Sequence, residues 1–150
     1  MRKVIAFALL CLLITGFIWG NSMRSVERSS AQSAPVADNL RPVLDPTEKM
    51  EKPVFHDYVR KLAHVVEFFA LGLAVAGFGI TLGAFIGKRL LSLPVLIVLF
   101  VAVMDEYIQH FTGRGSLVTD VILDFVSAVA GLLLAWVLCW LISRKKMRKE

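Results

Sequence analysis

The chain is poor in the residues that most often carry recognisable chemistry. Two cysteines, Cys11 and Cys139, stand in 150 residues. Each lies inside an apolar run, which excludes a disulfide-built scaffold and leaves packing as their role. No HExxH sequence and no cysteine ligand set occurs, so no metal is expected. A glycine-rich phosphate loop of the nucleotide type is missing too, which excludes ATP-driven work, and no cofactor is expected. Charged residues make up only 19% against 57% hydrophobic, with a mean hydropathy of +0.68, too apolar for a soluble domain. The net charge of +5 does not point to nucleic acid, because the cations sit beside apolar runs, where they suit anionic lipid head groups.

What is present are four long hydrophobic segments. Met1-Arg2-Lys3 precedes an apolar run to Gly20, read as a retained first transmembrane helix over residues 1–20. The small residues of a signal cleavage site, Ala31-Gln32-Ser33, come more than ten positions too late for a signal peptide. Residues 21–60 turn polar and read as an external loop, with prolines at 35, 42, 46 and 53 excluding any long helix before Pro53. A second helix starts near Val54 and spans about Leu62 to Leu82. Gly83 to Leu91 is a short turn, Ser92 caps a third helix with Pro94 in its first turn, and Thr112-Gly113-Arg114-Gly115 ends that helix near His110. A fourth span runs from Leu117 to Ile142. Residues 61–142 thus form a three-helix core, and residues 143–150 a basic tail.

The expected fold is all-α, an integral membrane bundle of four transmembrane helices in a single domain. Four crossings put both termini on one side. Nine lysines and arginines lie close to the helix ends there, at 2, 3, 88, 89, 144, 145, 146, 148 and 149. The opposite side holds eight, five of them scattered through the long loop, together with eleven of the twelve acids. The positive-inside rule therefore gives an N-in, C-in topology in the cell membrane.

With that topology, the polar groups of the core fall at one depth. His64 and Glu67 lie near the outer end of the second helix, Asp105, Glu106 and Gln109 near that of the third, and Asp120 and Asp124 near that of the fourth. A charged side chain facing lipid at the helix centre costs about 2.5–3.5 kcal/mol, so these groups are expected to turn toward one another. Lys61, His64 and Glu67 share a helical face, as do Asp120, Asp124 and Ser127. Small residues continue below them, Ala70, Ala74 and Gly77 on one helix and Ser127, Gly131 and Ala135 on the other, which lets the second and fourth helices approach closely. Arg60, Lys61 and Arg114 sit on the rim, placed to neutralise the acids or to grip a phosphate or carboxylate from the outer leaflet. The alternative is a set of ion pairs that only fixes helix register.

The stretch Val59-Arg60-Lys61-Leu62-Ala63-His64-Val65-Val66-Glu67-Phe68, followed by Asp105-Glu106-Tyr107-Ile108-Gln109, Gly113-Arg114, Asp120-Val121-Ile122-Leu123-Asp124 and Gly131, resembles the VanZ-like family of small membrane proteins over about residues 55–140. The resemblance implies that Lys61, His64, Glu67, Glu106, Gln109, Arg114 and Asp120 are characteristic polar positions. Val65, Phe68, Ile108, Thr112 and Ser127 depart from the family pattern, so neither a tyrosine hydroxyl at 68 nor a second imidazole at 108 is available here. The family's named member is associated with resistance to teicoplanin-type glycopeptides.

Three functions follow as expectations. The first is a membrane protein whose outward-facing pocket engages a lipid-linked cell-wall precursor or envelope polymer and lowers glycopeptide sensitivity, with membrane lipids as its other partner. A second is a membrane-embedded enzyme using His64 with Glu67 or Glu106 as acid and base on an outer-leaflet substrate. The third, a small proton-linked carrier, suits the sequence less, because Phe78, Ile80, Leu99 and Val101 suggest a dry inner half.

Overall fold

A computed structural model describes residues 1–113 and 117–147 as five helices: α1 (Arg2–Ser22), α2 (Val26–Leu44), α3 (Lys52–Ile86), α4 (Ser92–Phe111) and α5 (Val118–Met147). Arg114, Gly115, Arg148 and Lys149, to which the sequence assigns a turn and part of the basic tail, lie outside the described residues. Helices α1, α3, α4 and α5 are long and apolar enough to cross a membrane. The boundaries follow local chemistry. Pro53 stands in the first turn of α3, where its missing N–H costs nothing. Gly87 ends the helix in the left-handed conformation, φ +68°, and the Lys88 N–H donates to the Gly83 carbonyl. Gly113, at φ +74°, follows the end of α4.

Helix α3 is the axis of the bundle, packed by α1, α2, α4 and α5. The core lies around its middle, where Phe68, Leu71, Val75 and Ala76 meet Ile18 of α1, Val98, Val101 and Ala102 of α4, and Ala128 and Leu132 of α5. Elsewhere large apolar side chains point outward on every spanning helix, among them Leu13, Phe85, Phe100, Val126 and Leu141. That inversion is stable only where lipid, not water, surrounds the bundle.

Helices α3 and α5 meet backbone to backbone. A β-carbon added to Gly131 would lie 2.2 Å from the Phe69 carbonyl oxygen, and one added to Gly72 would lie 2.0 Å from that of Ala128. The expected small-residue contact is therefore present on α5 at Gly131. On α3 its closest counterpart is Gly72, while Gly77 instead receives the Phe7 ring of α1.

Residues 26–44 correct the expectation of a proline-broken loop. They form one helix with Pro35 and Pro42 inside it. Each proline removes one backbone hydrogen bond, but Ala37 is fully buried with Phe55 and Val59 of α3, and Leu40 packs on them. This second small core offsets the lost bonds. Asp45 closes the turn into α3, its carboxylate accepting the N–H groups of Lys49 at 2.9 Å and Met50 at 3.0 Å. The Met50 N–H above all, with that of Lys49, holds this carboxyl below the usual carboxylate range. The folded protein thus favours the charged form, so the turn's contribution is complete above the unfolded value of about 3.9 and fades as pH falls through the lower folded one. Hydrogen exchange is expected to show protected Lys49 and Met50 amides at neutral pH that lose protection in acid, and an Asp45→Ala variant unprotected throughout.

Candidate polar site

The ionisable groups of the apolar half converge from three helices. His64 of α3 places Nδ1 3.8 Å from Oδ2 of Asp105 on α4 and 3.8 Å from Oδ2 of Asp124 on α5. Asp105 is fully buried, Asp124 1% exposed, Glu106 5% and Gln109 8%. The one imidazole of the layer therefore stands between two buried carboxylates, with its ring stacked on the buried Phe68 at 6.4 Å between centroids.

Asp105 is held at both oxygens. Its Oδ1 accepts the Ser22 hydroxyl at 2.6 Å, and its Oδ2 accepts the Gln109 side-chain amide at 2.7 Å. The Thr112 hydroxyl donates to the Ser22 carbonyl at 3.2 Å, tying the ends of α1 and α4 together. Glu67 accepts the Asn21 amide at 3.3 Å. Asn21, Ser22 and Thr112 escape a search for charge alone. Their signal was position: Asn21 and Ser22 directly follow the first apolar run, at the depth of the acids.

The predicted site residues divide into two groups. His64, Asp105, Glu106, Gln109 and Asp124 form a layer sealed from the surface except at the imidazole, which keeps 16% side-chain exposure. Beside this layer a cleft of about 250 Å³ opens between α1, α2 and α3, and of the predicted residues Arg60, His64 and Glu67 line it. Arg24, whose guanidinium donates to Gln32, adds a cation on the α1 side that sequence reasoning did not select. Arg60 is paired with Asp57. Lys61 turns instead toward α5, with Nζ 3.3 Å from Asp120 Oδ1 and 3.9 Å from Asp57 Oδ2. Asp120 lies in the first turn of α5, where the helix dipole also favours its charge. Arg114 lies outside the described residues.

The sequence model of the VanZ/LLP1 family matches residues 7–140, nearly the whole chain. The chain belongs to the VanZ/LLP1 family. The match extends the resemblance read from residues 55–140 back into α1, in agreement with the part that Asn21 and Ser22 play in the polar layer. No significant match was found among curated proteins or among solved structures. The VanZ/LLP1 chain is a multi-pass membrane protein whose spanning helices place their buried acids against one another and turn apolar side chains outward. Chemically, the layer can hold a cation between its carboxylates or shuttle a proton through His64. The cleft can take up an anion with an apolar attachment, because Arg24 and Arg60 share its lining with Phe17, Val36 and Val59.

Proposed function

We propose that this VanZ-family protein acts in the cell membrane with both termini in the cytoplasm. In that orientation the cleft between α1, α2 and α3 faces outward and engages an anionic, lipid-linked cell-wall precursor or a related envelope polymer. The reading is supported by the cleft itself: two guanidinium groups in its lining, with apolar Phe17, Val36 and Val59 and with His64 and Glu67. Arginine pairs suit phosphate oxygens, and the apolar side chains suit the first part of a lipid tail. Occupying such a precursor changes its access to teicoplanin-type glycopeptides, which is the phenotype with which the family is linked.

The test is glycopeptide susceptibility. Cells expressing the wild type are expected to tolerate more teicoplanin than cells with an empty vector, and an Arg24→Ala/Arg60→Ala variant of equal membrane abundance is expected to lose that gain. Full tolerance in the variant would remove the cleft from the account.

A second reading, acid–base catalysis at His64, is favoured by one observation: the imidazole lines the cleft while its Nδ1 faces two carboxylates. It predicts a chemically altered lipid or wall component in expressing cells. Identical envelope mass spectra from wild-type and His64→Ala strains would count against it.

A further inference from the structure

We propose that His64, Asp105 and Asp124 form a binding site for a divalent transition-metal cation of the zinc type. The site departs from the expectation of no metal, and it stands independently of what occupies the cleft. Its three donors come from three helices, α3, α4 and α5, so no sequence spacing announces it. One ligand atom from each residue lies within 4.8 Å of the others, and the imidazole Nδ1 stands 3.8 Å from an oxygen of each carboxylate. Those separations exceed a hydrogen bond. The two separations from Nδ1 approach the spacing of two donors on one ion, about 3.3–3.6 Å for tetrahedral bonds of about 2.0–2.2 Å, and the two carboxylate oxygens, within 4.8 Å of each other, draw together as the ion binds.

An acidic cluster alone would not justify a metal. The second observation is Asp124: its side chain is 2% exposed, and among the described residues Oδ1 accepts no hydrogen bond. A carboxylate buried in that state is costly. Protonation would neutralise it but would add a donor to a group already short of partners, whereas a cation held by Oδ2, the oxygen that faces His64, neutralises the charge in place, and one held by both oxygens also gives Oδ1 its partner. The surroundings match those of a metal ligand set. Asp105 is oriented by Ser22 and Gln109, as ligating carboxylates usually are, and the buried Phe68 ring lies along the imidazole. One nitrogen and two carboxylate oxygens suit zinc better than magnesium, which prefers an all-oxygen shell and keeps its waters. Three protein donors also leave a coordination position for water or a ligand oxygen.

The test uses the full chain in nanodiscs, stripped with chelator and then equilibrated with Zn²⁺ or Mg²⁺, with bound metal counted by mass spectrometry and melting followed in parallel. The wild type is expected to bind one Zn²⁺ per chain in preference to Mg²⁺ and to melt higher when loaded. Asp124→Asn and His64→Gln are each expected to weaken Zn²⁺ binding by at least about tenfold, the lower end of what loss of even an outer-shell partner costs. A Cys11→Ser/Cys139→Ser variant is expected to bind as the wild type does. The metal-free Asp124→Asn protein should melt no lower than metal-free wild type, since the substitution removes a buried charge at constant shape. Wild-type protein that binds no stoichiometric zinc, or variants at Asp124 and His64 that bind it undiminished, would overturn the site. Loss of zinc in the double-cysteine variant would overturn it as well. Teicoplanin susceptibility is not a readout here, so failure of the metal site and failure of the cleft reading are separable.

Discussion

Replacing Gly131 by alanine is expected to destabilise the bundle severely, and replacing it by leucine to leave little folded protein in the membrane. The alanine β-carbon would fall 2.2 Å from the Phe69 carbonyl oxygen, 3.0 Å from the Leu73 nitrogen and 3.2 Å from the Phe69 carbonyl carbon. All three are backbone atoms of α3, so no side chain can swing aside and the two helices must separate. Overpacking a well-filled core usually costs about 1–3 kcal/mol. Here separation also loosens Phe68, Leu71, Ala128 and Leu132, which puts alanine at the upper end of that range and leucine beyond it. Gly16 supplies the control, because a β-carbon there meets nothing within 4 Å. Gly16→Ala should be neutral or stabilising, by up to about 1 kcal/mol of helix propensity. Thermal melting in detergent, with the monodisperse yield of each variant, checks the series. Equal melting of Gly131→Ala and Gly16→Ala would contradict the contact between α3 and α5.

The second large effect belongs to Asp105. Asp105→Ala removes the acceptor of both Ser22 and Gln109 from a fully buried position. Each orphaned donor costs about 1–3 kcal/mol, and relief of repulsion from Asp124 returns only part of it. A net loss of about 2–4 kcal/mol is expected. Ser22→Ala alone should cost less, and the double variant should be less unstable than the two single losses summed. The coupling is expected at about 1–1.7 kcal/mol, the upper part of what hydrogen bonds between membrane helices give in such cycles. Strict additivity would mean that the hydroxyl and the carboxylate do not share a bond.

The spanning helices were legible because their signals are local. Apolar runs of membrane length, Pro53 before a helical repeat, and glycines beyond the run at 87 and 113 mark segments whose character does not depend on distant contacts. Helix α2 was not legible for the opposite reason. Its sequence, polar and with two internal prolines, disfavours a helix until Ala37 and Leu40 find Phe55 and Val59. The polar layer was half legible. Charge in an apolar helix is conspicuous, and His64, Asp105, Glu106 and Asp124 do converge. Neutral donors are quieter, so Asn21, Ser22 and Thr112 passed unnoticed although they hold Glu67, Asp105 and the end of α4 in place. Which acids meet the imidazole was not readable either, since helical periodicity fixes a face but not which neighbouring helix that face meets.

Helix α3 runs unbroken for 35 residues, about 52 Å at about 1.5 Å per residue, so roughly 20 Å of it stands clear of a hydrocarbon layer about 30 Å thick. That protruding mast carries α2 alongside it and has no joint between Phe55, which anchors α2, and His64, two and a half turns further on. The α2 anchor at Phe55 and the imidazole at His64 therefore ride on one stiff rod, and neither can turn about the axis of α3 without the other.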